Sequence, residues 1–277
     1  MEVHHFATGK FLVEAVAAYL MLGALAGFLG GLFGIGGGTL LVPVLYWLFE
    51  AQSFPPEHLM HLALGTSMAT ILFTSLASLR KHHQHGAVEW PVVRSITPGI
   101  LLGTALGAAS AAVFSAQFLT IFFALFVYFA ATQILLDIQP HPQRTLPGPL
   151  GMGACGTFTG WLSSLVSIGG GTVVIPFLIW CNLPLRRAIG TAAAIGFPIA
   201  VGGTLGYIVI GMHSEGLPAP HLGFVYLPAL LWAALASVIT APLGARTAHR
   251  LDVALLRKLF AVLLLGLATK LMLQAII

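Results

Sequence analysis

Charge is what this sequence has least of. Asp, Glu, Lys and Arg together make up 7% of 277 residues, against about a quarter in an ordinary soluble domain. With 58% hydrophobic residues and a mean hydropathy of +0.96, that scarcity excludes a water-soluble globule and assigns the chain to lipid. Cysteine is almost missing as well. Cys155 and Cys181 lie in or beside apolar segments without metal-ligand spacing, which excludes a disulfide framework or a zinc site and makes them packing residues. There is no Walker A pattern and no nucleotide-binding domain, so ATP does not drive whatever the chain does. There is no H-E-x-x-H, and Asp137 and Asp252 fall near segment ends, away from their centres. An intramembrane zinc or aspartyl protease therefore lacks its catalytic groups. A serine dyad from Ser163 or Ser164 with a distant histidine is the enzyme reading that the sequence leaves open, and the reading adopted is not an enzyme.

What is present is a series of ten apolar segments, at about 11–33, 39–49, 61–79, 92–114, 118–136, 149–167, 172–181, 188–211, 223–244 and 255–276. Most can cross a hydrocarbon core of about 30 Å at 1.5 Å per residue. The run from Phe11 to Ile35 is too long for the apolar region of a signal peptide and reads as a retained membrane segment. The segments 39–49 and 172–181 reach only about half a bilayer. Each either ends near the midplane or pairs with its predecessor as a re-entrant hairpin.

The few charges give an orientation. Arg80, Lys81, Arg94, Arg144, Arg186, Arg187, Arg246, Arg250, Arg257 and Lys258 all fall on one side if the segments alternate, leaving Lys10 and Lys270 on the other. The positive-inside rule makes the first side cytoplasmic and puts both termini on the periplasmic side. The basic pI near 9.3 is then a topology signal, and nucleic acid is excluded as a partner for want of a basic soluble face.

The stretch "GGLFGIGGGTLLVPVL" from Gly30 has a second copy, "SSLVSIGGGTVVIPFL", from Ser163. Gly36, Gly37, Gly38 and Thr39 align with Gly169, Gly170, Gly171 and Thr172, an offset of 133 (169 − 36). Pro43 then meets Pro176, Trp47 meets Trp180 and Gly27 meets Gly160. Further on, Gly65-Thr66 meets Gly190-Thr191, and "TALGAA" at Thr104 meets "APLGAR" at Ala241. Each half holds five segments, an odd number, so the second half enters from the opposite side. The expected fold is an all-α polytopic membrane protein of two inverted five-segment repeats, 1–138 and 149–277, joined by a cytoplasmic linker at 139–148. Its Gly-broken or re-entrant helix pairs meet near the membrane midplane, a construction common among secondary transporters.

Three consecutive glycines break a helix. Non-helical backbone at membrane depth is tolerated only where protein buries it or where it lines a wet cavity. Helices that start at Gly38-Thr39 and Gly171-Thr172 present free N–H groups and the positive end of the helix dipole. Two such starts facing each other make an anion site without a buried Lys or Arg. The ladders Gly23, Gly27, Gly31 and Gly99, Gly103, Gly107 read as helix packing.

These two motifs, each followed by a "GT" helix, resemble the sulfite exporter TauE/SafE family, also called the toluene sulfonate uptake permease family, over nearly the whole chain. The resemblance implies a secondary transporter in the bacterial cytoplasmic membrane. Its cargo would be a small sulfur-containing anion such as sulfite, a sulfonate like sulfoacetate, or thiosulfate. The implied motif positions are Gly36, Gly37, Gly38, Thr39 and Pro43 with Gly169, Gly170, Gly171, Thr172 and Pro176. Ser167 departs from its partner Gly34 and adds a hydroxyl. An anion or small-solute channel is the alternative. The direction of transport, a coupling ion such as a proton, and the oligomeric state are open, and no cofactor is expected.

Other polar residues are weighed against that core. Thr66 and Thr191 are taken as substrate hydroxyls, with Ser67 and Thr70 as weaker candidates; interhelical bonding is the competing reading. "KHHQH" at 81–85 reads as a solvated cytoplasmic loop. His58 and His61 share a helix face and suit proton relay or a structural role. Glu14 and Lys270 read as snorkelling groups or an ion pair. Arg186 and Arg187 read equally as topology determinants or as an anion-attracting inner mouth.

Overall fold

The computed structural model describes residues 2–33, 37–136, 141–248 and 254–276. It contains α1 (Glu2–Phe33), α2 (Gly38–Ala51), α3 (Leu59–Gln84), α4 (Trp90–Val113), α5 (Ala116–Leu135), α6 (Pro149–Val166), α7 (Gly171–Trp180), α8 (Leu185–Gly211), a small antiparallel hairpin β1 (His221–Leu222) and β2 (Val225–Tyr226), α9 (Leu227–Ala248) and α10 (Ala254–Ile276). Seven of the described helices are long and apolar enough to cross a membrane; α2 and α7 are shorter apolar helices. The chain is thus an all-α polytopic membrane protein. Helices dominate because lipid offers the backbone no hydrogen-bond partners. Starts are marked by proline in the first turn of α4 and α6. At α5 the Ser115 hydroxyl accepts from Phe118 N–H at 3.2 Å.

Helices α3 and α8 run antiparallel through the centre. Gly65 lies against Tyr207, Gly203 against Met68 and Gly196 against Ser75. Around them α1 packs on α9, α4 on α6, and α5 on α10. Small residues set the first two contacts. A Cβ on Gly23 or Gly27 would run into the backbone of Ala233 or Ser237. A Cβ on Gly156 or Gly160 would run into Ile96 or Ile100. Close backbone approach of this kind is how helices associate where the solvent is as apolar as leucine. Between α5 and α10, Tyr128 Oη donates to Thr269 Oγ1 at 2.8 Å.

The short helices turn back. Trp180, at the end of α7, accepts through its carbonyl from the N–H groups of Gln143 and Arg144, both at 3.1 Å. That segment leads into α6, so α7 returns to the end of the molecule from which α6 departs. Likewise Gln52, just past α2, donates through Nε2 to Tyr19 Oη of α1 at 2.6 Å. Each short helix thus folds back toward the end of the molecule from which its predecessor starts. At 1.5 Å per residue α7 is about 15 Å long and α2 about 21 Å, the latter one turn longer than its apolar run suggested.

One expectation needs correction, and three open alternatives narrow. Helix α3 continues to Gln84, so "KHHQH" is mainly its last turn, and His82 is fully buried where a solvated loop was expected. Lys270 stacks on the Trp47 ring, 4.0 Å from its centroid, and the only ion pair among the described residues joins Arg187 to Glu89, so Glu14 and Lys270 do not pair. Arg187 is therefore engaged by a carboxylate, which weakens an anion-attracting role for it. His61 holds structure: its Nε2 lies 3.0 Å from the Ala111 carbonyl and its ring stacks on Phe224. Asp137, Arg250 and Asp252 lie outside the described residues.

Replacing Gly160 with leucine is expected to destabilise the protein by about 1–3 kcal/mol or more, because the α4 backbone cannot yield. Gly266→Leu faces open space and serves as the neutral control. Thermal melts of the detergent-purified variants check this.

Candidate functional site

Both glycine breaks end in a left-handed residue. Gly37 (φ 71°) precedes α2 and Gly170 (φ 79°) precedes α7. Left-handed backbone is strained for residues with a Cβ, and glycine adopts it freely. The first turns close by Leu41 N–H to the Gly37 carbonyl at 3.0 Å and Val174 N–H to the Gly170 carbonyl at 2.7 Å. The N–H groups of Gly38 and Thr39, and of Gly171 and Thr172, lie ahead of those turns. Neither helix start carries a side-chain cap, so the threonines are not spent on capping. Thr39 Oγ1 is buried without a hydrogen-bond partner. Gly36 lies outside the described residues.

The two breaks touch. A Cβ on Gly38 would overlap the Ser167 carbonyl oxygen, so the first residue of α2 lies directly on the α6–α7 turn. Ser167 is itself left-handed (φ 48°) and ends α6, and its hydroxyl is buried and unpartnered. Gly169 follows and faces α8, its carbonyl oxygen 3.1 Å from where a Cβ on Gly196 would stand.

Thr66 and Thr191 are fully buried and perform matching tasks elsewhere. Thr66 Oγ1 accepts from Tyr226 N–H, and Thr191 Oγ1 accepts from Glu89 N–H, both at 3.0 Å. Next to them, Gly65 lies against the Phe224 carbonyl and Gly190 against the Ala87 carbonyl. Each threonine thus ties the start of its helix to the loop that leads into a helix of the other half. Thr70 Oγ1 donates to the Thr66 carbonyl at 2.9 Å, an i−4 bond within the helix.

Beside the second break lies a small cavity. Thr74, Ser75 and Ser78 of α3 form its polar wall, Ala193 and Gly196 of α8 face them, and Gly169 and Gly30 of α1 complete the lining. Its volume is about 10 Å³, close to the least that admits one water molecule. Thr74 Oγ1 lies 2.8 Å from Ser237 Oγ and 3.0 Å from the Thr70 carbonyl. Ser75 Oγ donates to the Leu72 carbonyl at 3.1 Å. Ser78 Oγ is buried with no partner. The sequence reading missed this wall. A signal existed, because Thr66, Thr70, Thr74 and Ser78 recur every four residues and so share one helix face. Among the described residues no three His, Cys, Asp or Glu side chains are placed to hold a metal.

The model of the sulfite exporter TauE/SafE family matches residues 19–271. The chain belongs to the TauE/SafE family. A probable membrane transporter protein of Haemophilus influenzae is 37% identical over 256 residues, 92% of this chain and 97% of the relative. One from Methanocaldococcus jannaschii is 28% identical over 241 residues, 84% and 86% of the two chains. The probable membrane transporter protein YunE of Bacillus subtilis is 24% identical over 232 residues, 76% and 82%. No solved structure matches. Each of these relatives carries the name of a probable membrane transporter protein.

Because Thr66 serves as a brace, Thr66→Val should leave Tyr226 N–H without an acceptor and lower stability by about 1–3 kcal/mol. Thr66→Ser should restore most of it. The pair Thr191→Val and Thr191→Ser should behave alike in thermal unfolding.

Proposed function

We propose that this TauE/SafE protein is a secondary transporter of a small sulfur-containing anion: sulfite, thiosulfate or a compact sulfonate such as sulfoacetate. The anion would be held where the two glycine breaks meet, by the leading N–H groups of α2 and α7. Gly37, Gly38 and Thr39 would line one side, and Ser167, Gly169, Gly170, Gly171 and Thr172 the other. The observation that carries this reading is the contact between Gly38 and the Ser167 carbonyl, which sets the uncapped start of α2 on the turn that leads from α6 to the uncapped start of α7. Uncapped N-termini and their dipoles favour anions. Thr66 and Thr191, engaged with backbone N–H groups, would contribute as braces.

The halves 1–138 and 149–277 would be inverted repeats that exchange roles during transport. Support comes from contacts that recur under exchange of the halves. Gly23 with Ala233 has its counterpart in Gly156 with Ile96, and Gly244 with Phe28 in Gly107 with Trp161. The braces Thr66 to Tyr226 and Thr191 to Glu89 are another such pair. The odd number of helices per half supports insertion in opposite senses. The charge distribution supports a cytoplasmic face holding the 139–148 linker, with both termini periplasmic. A cavity near one water molecule in size supports a closed intermediate over an open channel.

The test is binding and flux with purified protein. Sulfite, thiosulfate or sulfoacetate should give saturable binding in a calorimetric or thermal-shift titration, with chloride as a negative control. Gly170→Leu or Gly37→Leu should abolish it. In liposomes, flux that saturates and responds to an imposed proton gradient supports a coupled transporter, and flux proportional to concentration at every level supports a channel. A wild-type protein that binds none of the sulfur anions overturns the reading.

A further inference from the structure

We infer that the two glycine breaks are unequal, and that the substrate oxyanion is recognised at the second one by Ser78 and Ser75 of α3. This rests on the transport reading above and goes beyond it by naming recognition residues outside both glycine motifs.

The argument compares matched positions. Counting along α3 and α8 from Thr66 and Thr191, Ser75 corresponds to Ala200 and Ser78 to Gly203. Ala193 corresponds to Met68 and Gly196 to Ile71. At the second break, two serines and two small residues surround an opening beside Gly169. At the matched positions of α8 and α3, Ala200 and Gly203 stand in place of the serines, and Met68 and Ile71 stand in place of Ala193 and Gly196. Met68 is fully buried and lies over Gly203, and fully buried Ile71 lies against Gly38. Among these matched positions of α3 and α8, space and serine hydroxyls therefore coincide beside the second break.

Within the polar wall Ser78 stands apart. It is 3% exposed and its hydroxyl has no partner, a costly state for a buried donor. The Thr74 hydroxyl is committed to its own helix and to Ser237, and Ser75 donates to Leu72. An anion at the start of α7 would receive the Ser78 proton together with the Gly171 and Thr172 N–H groups. Ser75 would join by turning its hydroxyl away from the Leu72 carbonyl. Such a site suits a ligand with several acceptor oxygens on one small centre. Ala193 and Gly196 set the clearance for that centre, so a sulfite-sized group fits after modest separation of α3 and α8.

The experiment is calorimetric titration of full-length purified protein with sulfite, thiosulfate and sulfoacetate, paired with thermal melts without ligand. Ser78→Ala should weaken binding about tenfold or more, as loss of a hydrogen bond to a charged group does. It should also raise the melting temperature of the unliganded protein, because an unsatisfied donor is removed. A merely structural serine would lower it. Gly196→Ile, which installs the residue of the other half, should abolish binding, and Gly196→Ala should weaken it if the larger variant does not fold. Thr204→Val, at another buried unpartnered hydroxyl on α8 away from the cavity, should bind like wild type. If wild type binds and Ser78→Ala and the Gly196 variants bind equally well, the inference is overturned while the transport reading stands. If wild type binds none of the three anions, both fall.

Discussion

The structure depends on one constraint: in lipid every backbone N–H and C=O must find a partner inside the protein. The described helices meet that demand along their length. The two glycine breaks interrupt it within the fold, and the buried starts of α2 and α7 there carry no side-chain caps. Such gaps are tolerable only in the interior, and the rest of the fold places them there. The folded-back pairs α1–α2 and α6–α7 bring the breaks inward, and the central helices α3 and α8 enclose them. Small residues let the surrounding helices approach until backbone meets backbone.

That enclosure links stability to transport. Contacts such as Gly27 with Ser237 and Gly160 with Ile100 are tight and leave no slack within a helix pair. The α3–α8 contact is different in kind. It holds unpartnered hydroxyls, a small cavity and the flexible side chain of Met68. Motion between rigid units is easiest where packing is least complete.

The fold class was legible in the sequence to an unusual degree, because the relevant signals are coarse. Low charge and long apolar runs specify membrane helices without reference to packing. The breaks were legible because three glycines in a row have no helical reading, and their repetition removed the accidental one. Less local matters were misread or left open. The tract at 81–85 looked solvated, yet α3 extends through most of it and buries His82. For Thr66 and Thr191 the sequence left substrate hydroxyl and interhelical bond as competing readings. Their partners are backbone N–H groups more than a hundred residues away, a distance that no local pattern conveys.

The sequence by itself determined the solvent, the number and type of elements, the position of the two breaks and the family resemblance. Each of these follows from composition or from periodicity within one segment. Only the tertiary structure decided that α2 and α7 turn back, that Gly38 rests on the Ser167 carbonyl, and that a serine-lined cavity lies beside Gly169. The physical reason is that these facts belong to pairs of helices. Two halves with nearly the same motif differ because Ala193 and Gly196 leave room where Met68 and Ile71 fill it, and that difference exists only when α3 and α8 are packed together.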